Sequence, residues 1–269
     1  MSFIQVRDVS GVAYLQSPVL RDLGIPHGFS TRRGGVSKAP FSSLNLGNPT
    51  GEIRDRAENL SENLHRFLTA MEVSNRPLRT VRQMHGCEVA HFGGNAPPYT
   101  PASQDKSEPC SADAIILSAT DALAGIRTAD CVPVLIAGLD GQVVAAIHAG
   151  WRGLVGGVIG RTIENLERMG VTGDKLVAAV GPCIGVEHFE IGPEVVPAFE
   201  RAGLSAALVR GPRMHANLPL AAKIELVHFG VRRVDMADQC TYQDADLFFS
   251  HRRDRGQTGR MLAVIGCRN

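Results

Sequence analysis

The stretch Gly125–Gly153, GIRTADCVPVLIAGLDGQVVAAIHAGWRG, constrains the fold most. Cys131 opens an apolar run, Asp140-Gly141 supplies a tight-turn dipeptide, and QVVAAI runs back to His148. Two apolar segments around an Asp-Gly step predict a hairpin, and its return brings the Cys131 thiol and the His148 imidazole to one end. After AGWRG, the residues Val155, Val158, Ile159, Ile163, Leu166 and Met169 repeat at helical spacing, predicting one helix from Trp151 to near Gly170. Thiol and imidazole are therefore expected between two strand ends and a helix N-terminus, where backbone N–H groups favour anions.

The flanking text supplies the remaining elements. Residues 1–30 read as short strands broken by turns, with His27 in IPHGFS as a turn histidine. Thr31–Gly51 is rich in Gly, Ser, Pro and Asn and predicts a loop; Arg32 and Arg33 before Gly34-Gly35 make it either an anion-holding turn or a solvated one. Glu52–Met71 has the apolar stripe of a helix. Leu78–Phe92 predicts two short strands joined around His85-Gly86, with His85 at the tip, and Gly93–Pro109 predicts a lid or a disordered insert. Strands are expected in Ser111–Thr120, KLVAAV, VRRVDM and MLAVIGC, and helices at Pro193–Arg201 and Leu218–Phe229. The turn Gly181-Pro182-Cys183-Ile184-Gly185 either lines the pocket or merely reverses the chain, the second being the expectation, and His251–Arg260, HRRDRGQTGR, reads as a salt-bridged surface or a pocket wall.

Composition narrows the function classes. Net charge is +1 from 28 basic and 27 acidic residues, which gives no global field for nucleic acid or an anionic membrane. No segment approaches the length of a membrane span, and MSFIQVRDVS has no apolar signal region, so a cytoplasmic protein is expected. The six cysteines form no CxxC pair, which argues against a zinc finger or a disulfide framework. Without repeats or composition breaks, one domain spanning 1–269 is expected, as a monomer or weak homodimer.

Two chemistries use Cys131 and His148. With a third ligand, for which His85, Cys87 and His91 are equal candidates by spacing, the pair forms an open metal site. Without metal, Cys131 serves as a nucleophile and His148 as its base. Asp130 beside the thiol is an acid/base group, a partner that orients an imidazole, or a turn cap.

The segments HGFSTRRGGVSKAPFSSLNLG, RQMHG, SADAIIL, RTADCVPVLIA, AAIHAGWRG, GPCIG and CTYQDADLFFSHRRDRGQTGRMLAVIG together resemble the laccase-domain, YfiH-like family over nearly the whole chain. The resemblance implies a single mixed α/β (α+β) domain with a β-sandwich-like core between helical layers, similar to bacterial toxin deamidase folds that use a Cys/His pair. It implies that His85, Cys131 and His148 bind one zinc ion. It also implies a purine nucleoside phosphorylase acting on adenosine, inosine, guanosine and methylthioadenosine, with adenosine deaminase activity. The older family label is copper-dependent polyphenol oxidase. None of the nine histidines forms an H-x-H pair, so a multicopper cluster is poorly supplied. A third reading is a metal-stabilised binding module without catalysis.

For the enzyme, purine nucleoside and phosphate are the expected partners. Arg32 and Arg152 are candidates to hold phosphate, Asn45 and Gln83 to meet purine or ribose edges, and Asp130 to move a proton. Two departures from the family pattern stand out: Asn217 begins NLPLA where an Asp is usual, and His251 precedes Arg-Arg-Asp where a Tyr is common.

Overall fold

The Asp140-Gly141 hairpin is the centre of the molecule. A computed structural model describes residues 2–93 and 110–268. In chain order its strands are β1 (Ile4–Arg7), β2 (Ala13–Gln16), β3 (His27–Ser30), β4 (Leu78–Arg79), β5 (Val89–Phe92), β6 (Ala114–Leu117), β7 (Leu123–Thr128), β8 (Val132–Gly138), β9 (Val144–Ala149), β10 (Leu176–Val180), β11 (Leu208–Val209), β12 (His215–Ala216), β13 (Arg233–Met236) and β14 (Met261–Gly266). The helices are α1 (Pro18–Asp22), α2 (Ala57–Ala70), α3 (Trp151–Val155), α4 (Val158–Arg168), α5 (Val196–Arg201) and α6 (Leu218–His228). The predicted hairpin is β8–β9, antiparallel with Pro133 opposite His148.

Two six-stranded sheets stack face to face, one in the order β1-β2-β3-β14-β7-β4 and the other β13-β10-β8-β9-β6-β5. Strand alternation decides which side chain goes where. From β8, Leu135 and Ala137 enter the layer between the sheets with Phe29, Ile126 and Ile265. Val132, Val134 and Ile136 face the opposite way, onto Ile159, Ile163 and Leu226 of α4 and α6. The outer face of the first sheet, through Tyr14, Leu123 and Val264, is closed by Phe67 and Leu68 of α2. The result is a β-sandwich with helices on both outer faces, as the mixed α/β reading expects. No described helix is long and apolar enough to cross a membrane.

Several local expectations are corrected. The helix after Trp151 is two pieces, because Gly157 adopts φ +76 and breaks the ladder between α3 and α4. The strands flanking His85 are no hairpin: β4 pairs with β7 in the first sheet and β5 with β6 in the second. Residues 1–30 contain the short α1, whose N-cap Ser17 accepts a bond from Leu20 N–H. Asn217 caps α6 in the same way, accepting from Leu220 N–H at 3.0 Å, so the usual Asp is replaced there by another good cap. Most of Gly93–Pro109, the expected lid or insert, lies outside the described residues.

His27 is buried at the start of β3 rather than in a turn. Its Nδ1 lies 2.8 Å from the Ile25 carbonyl and its Nε2 accepts from Ser17 N–H at 2.8 Å, which fixes the neutral tautomer. Burial is the main reason its pKa falls to about 4. The unfolded chain takes up this proton near pH 6.5 and the folded chain only near 4, so stability is intact above 6.5 and drains away as pH falls between the two. The shift corresponds to roughly 3 kcal/mol. Urea midpoints at about pH 7.5 and about pH 4.5 are expected to separate further for the native chain than for His27→Gln. Equal separation in both would remove His27 from this account.

Candidate metal centre and cavity

Each of the three candidate ligands sits where the chain passes from one sheet to the other. Ala129–Cys131 connects β7 of the first sheet to β8 of the second, and Asp130 makes the corner in left-handed backbone, φ +86. His148 lies near the end of β9, two residues before the Gly150 cap of α3. His85 lies on the crossing from β4 to β5, itself at φ +57. One ligand atom from each of His85, Cys131 and His148 falls within 4.8 Å of the other two, and the histidine rings stand edge to face with centroids 4.8 Å apart.

Asp113 holds this arrangement. Only 1% exposed, its carboxylate accepts from His148 Nδ1 at 2.7 Å and from the backbone N–H groups of Met84 (3.1 Å), His85 (3.0 Å) and Gly86 (2.7 Å). One side chain thus fixes both the strained His85 turn and the His148 ring, leaving His148 Nε2 for a ligand. Burial alone would raise the Asp113 pKa; the bonds from His148 and from the Gly86 and Met84 amides keep it below the ordinary carboxylate value.

The donor set fits a divalent ion. Two imidazoles and a thiolate are ligands for zinc, and three protein ligands leave a tetrahedral site open. Burial pushes the Cys131 thiol up, but the His148 and His85 rings more than reverse this and hold it well below its ordinary value. His148 is displaced upward: burial opposes, while the Cys131 sulfur and then Asp113 favour its charged form. A cation entering here meets a thiolate prepared to bind it and displaces the imidazolium proton. Room exists because residue 150 is glycine: a Cβ there would stand 3.1 Å from His85 Nδ1 and 3.2 Å from Cys131 Sγ.

The three ligands line a cavity of about 370 Å³, within the size range of small-molecule sites. Of the other sequence candidates, Asp130 and Gln83 reach this cavity, while Arg32, Asn45 and Arg152 are not among its lining residues. Arg32 donates to the Ser42 and Ala245 carbonyls at 2.7 and 3.0 Å and stacks over Phe249. The Arg152 guanidinium lies 4.3 Å from the centre of the Trp151 ring. Asn45 is fully buried; its Oδ1 accepts from Arg260 N–H at 2.9 Å, so it positions an arginine instead of meeting substrate. Both ends of the Gln83 amide are engaged by the Arg127 backbone at 2.8 Å, tying the His85 crossing to β7. The Asp130 oxygens accept from Thr241 Oγ1 and Arg252 N–H, both at 2.7 Å.

Several cavity residues were missed by sequence reasoning. Asp113 had a signal, since a lone acid in the apolar text SADAIIL must find partners when buried. His251–Arg260 is both things expected of it: His251, Arg252 and Arg260 are cavity wall, while Arg253 pairs with Asp254 at 2.9 Å. Ile184 also lines the cavity, so the Gly181–Gly185 turn contributes to the site as well as reversing the chain. Arg260 is deeply set, with Nη1 donating to the Thr258 and Gly259 carbonyls at 3.1 and 3.0 Å.

A sequence model of the family described as multi-copper polyphenol oxidoreductase laccase matches residues 26–268. A Deinococcus radiodurans protein named purine nucleoside phosphorylase is 37% identical over 257 residues, spanning 95% of this chain and 93% of that one. The Escherichia coli K12 protein named purine nucleoside phosphorylase YfiH is 38% identical over 239 residues, spanning 88% and 91%. Among solved structures, YlmD from Geobacillus stearothermophilus superposes with a TM-score of 0.87 at 28% identity, covering 99% of this chain and all of that one (100%).

Removing the Asp113 charge tests its role as the clamp. Asp113→Asn keeps the size of the side chain and one acceptor oxygen, yet loses the charge and turns an NH2 group toward N–H donors, either those of His148 and His85 or those of Met84 and Gly86, and zinc affinity is expected to fall about 10- to 100-fold. Competition with a chromophoric chelator measures it; unchanged affinity in a folded variant would contradict the assignment.

Proposed function

The chain belongs to the multi-copper polyphenol oxidoreductase laccase family, and we propose that it is a zinc-dependent purine nucleoside phosphorylase. Adenosine, inosine, guanosine and methylthioadenosine are the nucleosides, and adenosine deamination is a second activity of the same cavity. The observation that carries the reading is the shared cavity wall, which joins a His/Cys/His ligand set to the half-buried guanidinium of Arg260. The names of the relatives support the phosphorylase class.

His85, Cys131 and His148 would hold the ion, which when bound supplies Lewis-acid chemistry at the cavity wall. Arg260 has no carboxylate within ion-pair distance among the described residues, and Asn45 together with the Thr258 and Gly259 carbonyls fixes its position. A half-buried cation on a cavity wall without an acid partner is a place for an anion, and phosphate is the anion that phosphorolysis needs. We therefore assign phosphate to Arg260, which lines the cavity where Arg32 and Arg152 do not; Arg252 shares the wall, with its guanidinium over Phe189 and donating to the His188 and Glu190 carbonyls. Val81, Ile184 and Phe189 give the same cavity an apolar side suited to a purine face. Asp130, with both oxygens engaged, holds the Arg252 backbone and Thr241 in place.

Copper-dependent phenol oxidation is a second reading, favoured by the family description. The described residues assemble a single three-ligand group, too few ligands for a multinuclear copper cluster. Oxygen uptake with a phenol after copper loading is its test.

Zinc-loaded protein incubated with adenosine is expected to yield adenine and ribose 1-phosphate when phosphate is added, and inosine without it. Neither product would overturn the proposal, and Cys131→Ser is expected to abolish both. Arg260→Gln is expected to raise the phosphate KM roughly 10-fold or more while the nucleoside KM moves about 2-fold at most. An unchanged phosphate KM would move the anion elsewhere.

A further inference from the structure

Phosphorolysis needs more than a place for phosphate, because the purine leaves poorly as an anion. Among the described residues lining the cavity, most polar groups are unsuited to give it a proton. His85, Cys131 and His148 form the ligand set, and the Asp130 oxygens and the Gln83 amide are engaged. Guanidinium groups do not release protons near neutrality.

His251 is different. It lines the cavity, lies outside the ligand set, and its ring has no hydrogen-bond partner among the described residues. His251 is exposed as a residue, and its ring lies against Gly256. Gly256 N–H donates to the His251 carbonyl at 2.8 Å, closing a turn in which Gly256 takes φ +82 and faces the imidazole. A Cβ on Gly256 would stand 3.3 Å from His251 Cε1, so the absence of a side chain lets the ring rest against the backbone.

We propose that His251 delivers the proton that lets the purine leave, which rests on the phosphorylase reading above. In this step a phosphate oxygen lone pair forms the O–C1′ bond, the C1′–N9 pair moves into the purine, and N7 takes the His251 proton. The base departs neutral, and the proton carried by the incoming phosphate restores the imidazolium. The charged and titratable groups around His251 are Arg260, Asp130, His85 and Arg252. Burial first, then the Arg260 charge, hold its pKa below the ordinary histidine value, so the imidazolium is a stronger acid but a smaller fraction at neutral pH, and inosine turnover is expected to rise as pH falls toward that pKa.

The test compares two nucleosides whose bases differ in their need for a proton. Inosine requires one; 7-methylguanosine carries a fixed positive charge on its base and leaves without it. In His251→Gln, kcat/KM for inosine is expected to fall about 100-fold while that for 7-methylguanosine stays within about 3-fold, with zinc content and phosphate KM unchanged. Added imidazole is expected to restore inosine turnover in His251→Ala. Equal losses on both nucleosides, or no loss on inosine, would overturn the role of His251 and leave the phosphorylase reading standing. Failure of the native protein on both nucleosides would overturn that reading itself.

Discussion

A single buried carboxylate carries the centre of this molecule. Asp113 sits at the head of β6, beneath the crossing that bears His85 and beside the end of β9 that bears His148. An ionised carboxylate at such depth is tolerated only when its oxygens are satisfied, and here three backbone amides and an imidazole satisfy them. The same bonds hold the Met84–Gly86 segment in a backbone conformation that a histidine rarely adopts. Folding energy and site geometry therefore depend on one set of hydrogen bonds.

The sandwich explains why the site is where it is. Chain that leaves one sheet for the other must turn at the sheet ends, and the turns at Asp130 and His85 bring groups from both sheets to one seam. Packed layers lie on both sides of β8 and β9, so the strand ends that carry Cys131 and His148 move little relative to one another. The Arg260 side of the cavity is fixed differently, by Asn45 reaching from the glycine- and serine-rich loop to the residue that begins β14's approach. That loop reads as irregular in sequence, yet it sets the position of the charge on which anion binding depends.

Local features of the chain were legible; meetings between distant segments were less so. The Asp-Gly turn and its two apolar runs lead directly to the β8–β9 hairpin, and hence to Cys131 beside His148. His85 could not be placed by spacing, because its crossing joins the two sheets and no local pairing brings it to the thiol; the motif resemblance supplied it. Arg32 and Arg152 looked like anion holders because they neighbour glycines and a helix start. In the fold neither is among the residues that line the cavity, and each rests on an aromatic ring, Phe249 or Trp151. Arg260, hidden in a mixed-charge run, enters the cavity because Thr258, Gly259 and Asn45 aim it there. Which arginine faces the cavity is settled by tertiary packing, and a linear charge pattern carries little of that.

The charges of the cavity bear on the two labels the family carries. Arg127, Arg252 and Arg260 share its wall with Asp130 and the Cys131 sulfur, so cations already outnumber anions before any ion is held. A divalent cation on His85, Cys131 and His148 increases the excess. A neutral phenol brings nothing to offset it, whereas phosphate brings negative charge and oxygens that guanidinium groups bind in pairs. Ile184 and Phe189 add apolar surface to the same wall, with the Arg252 guanidinium 5.1 Å from the centre of the Phe189 ring. Cationic and apolar surface side by side can receive an anion together with a flat base, which supports the proposed phosphorolysis over phenol oxidation.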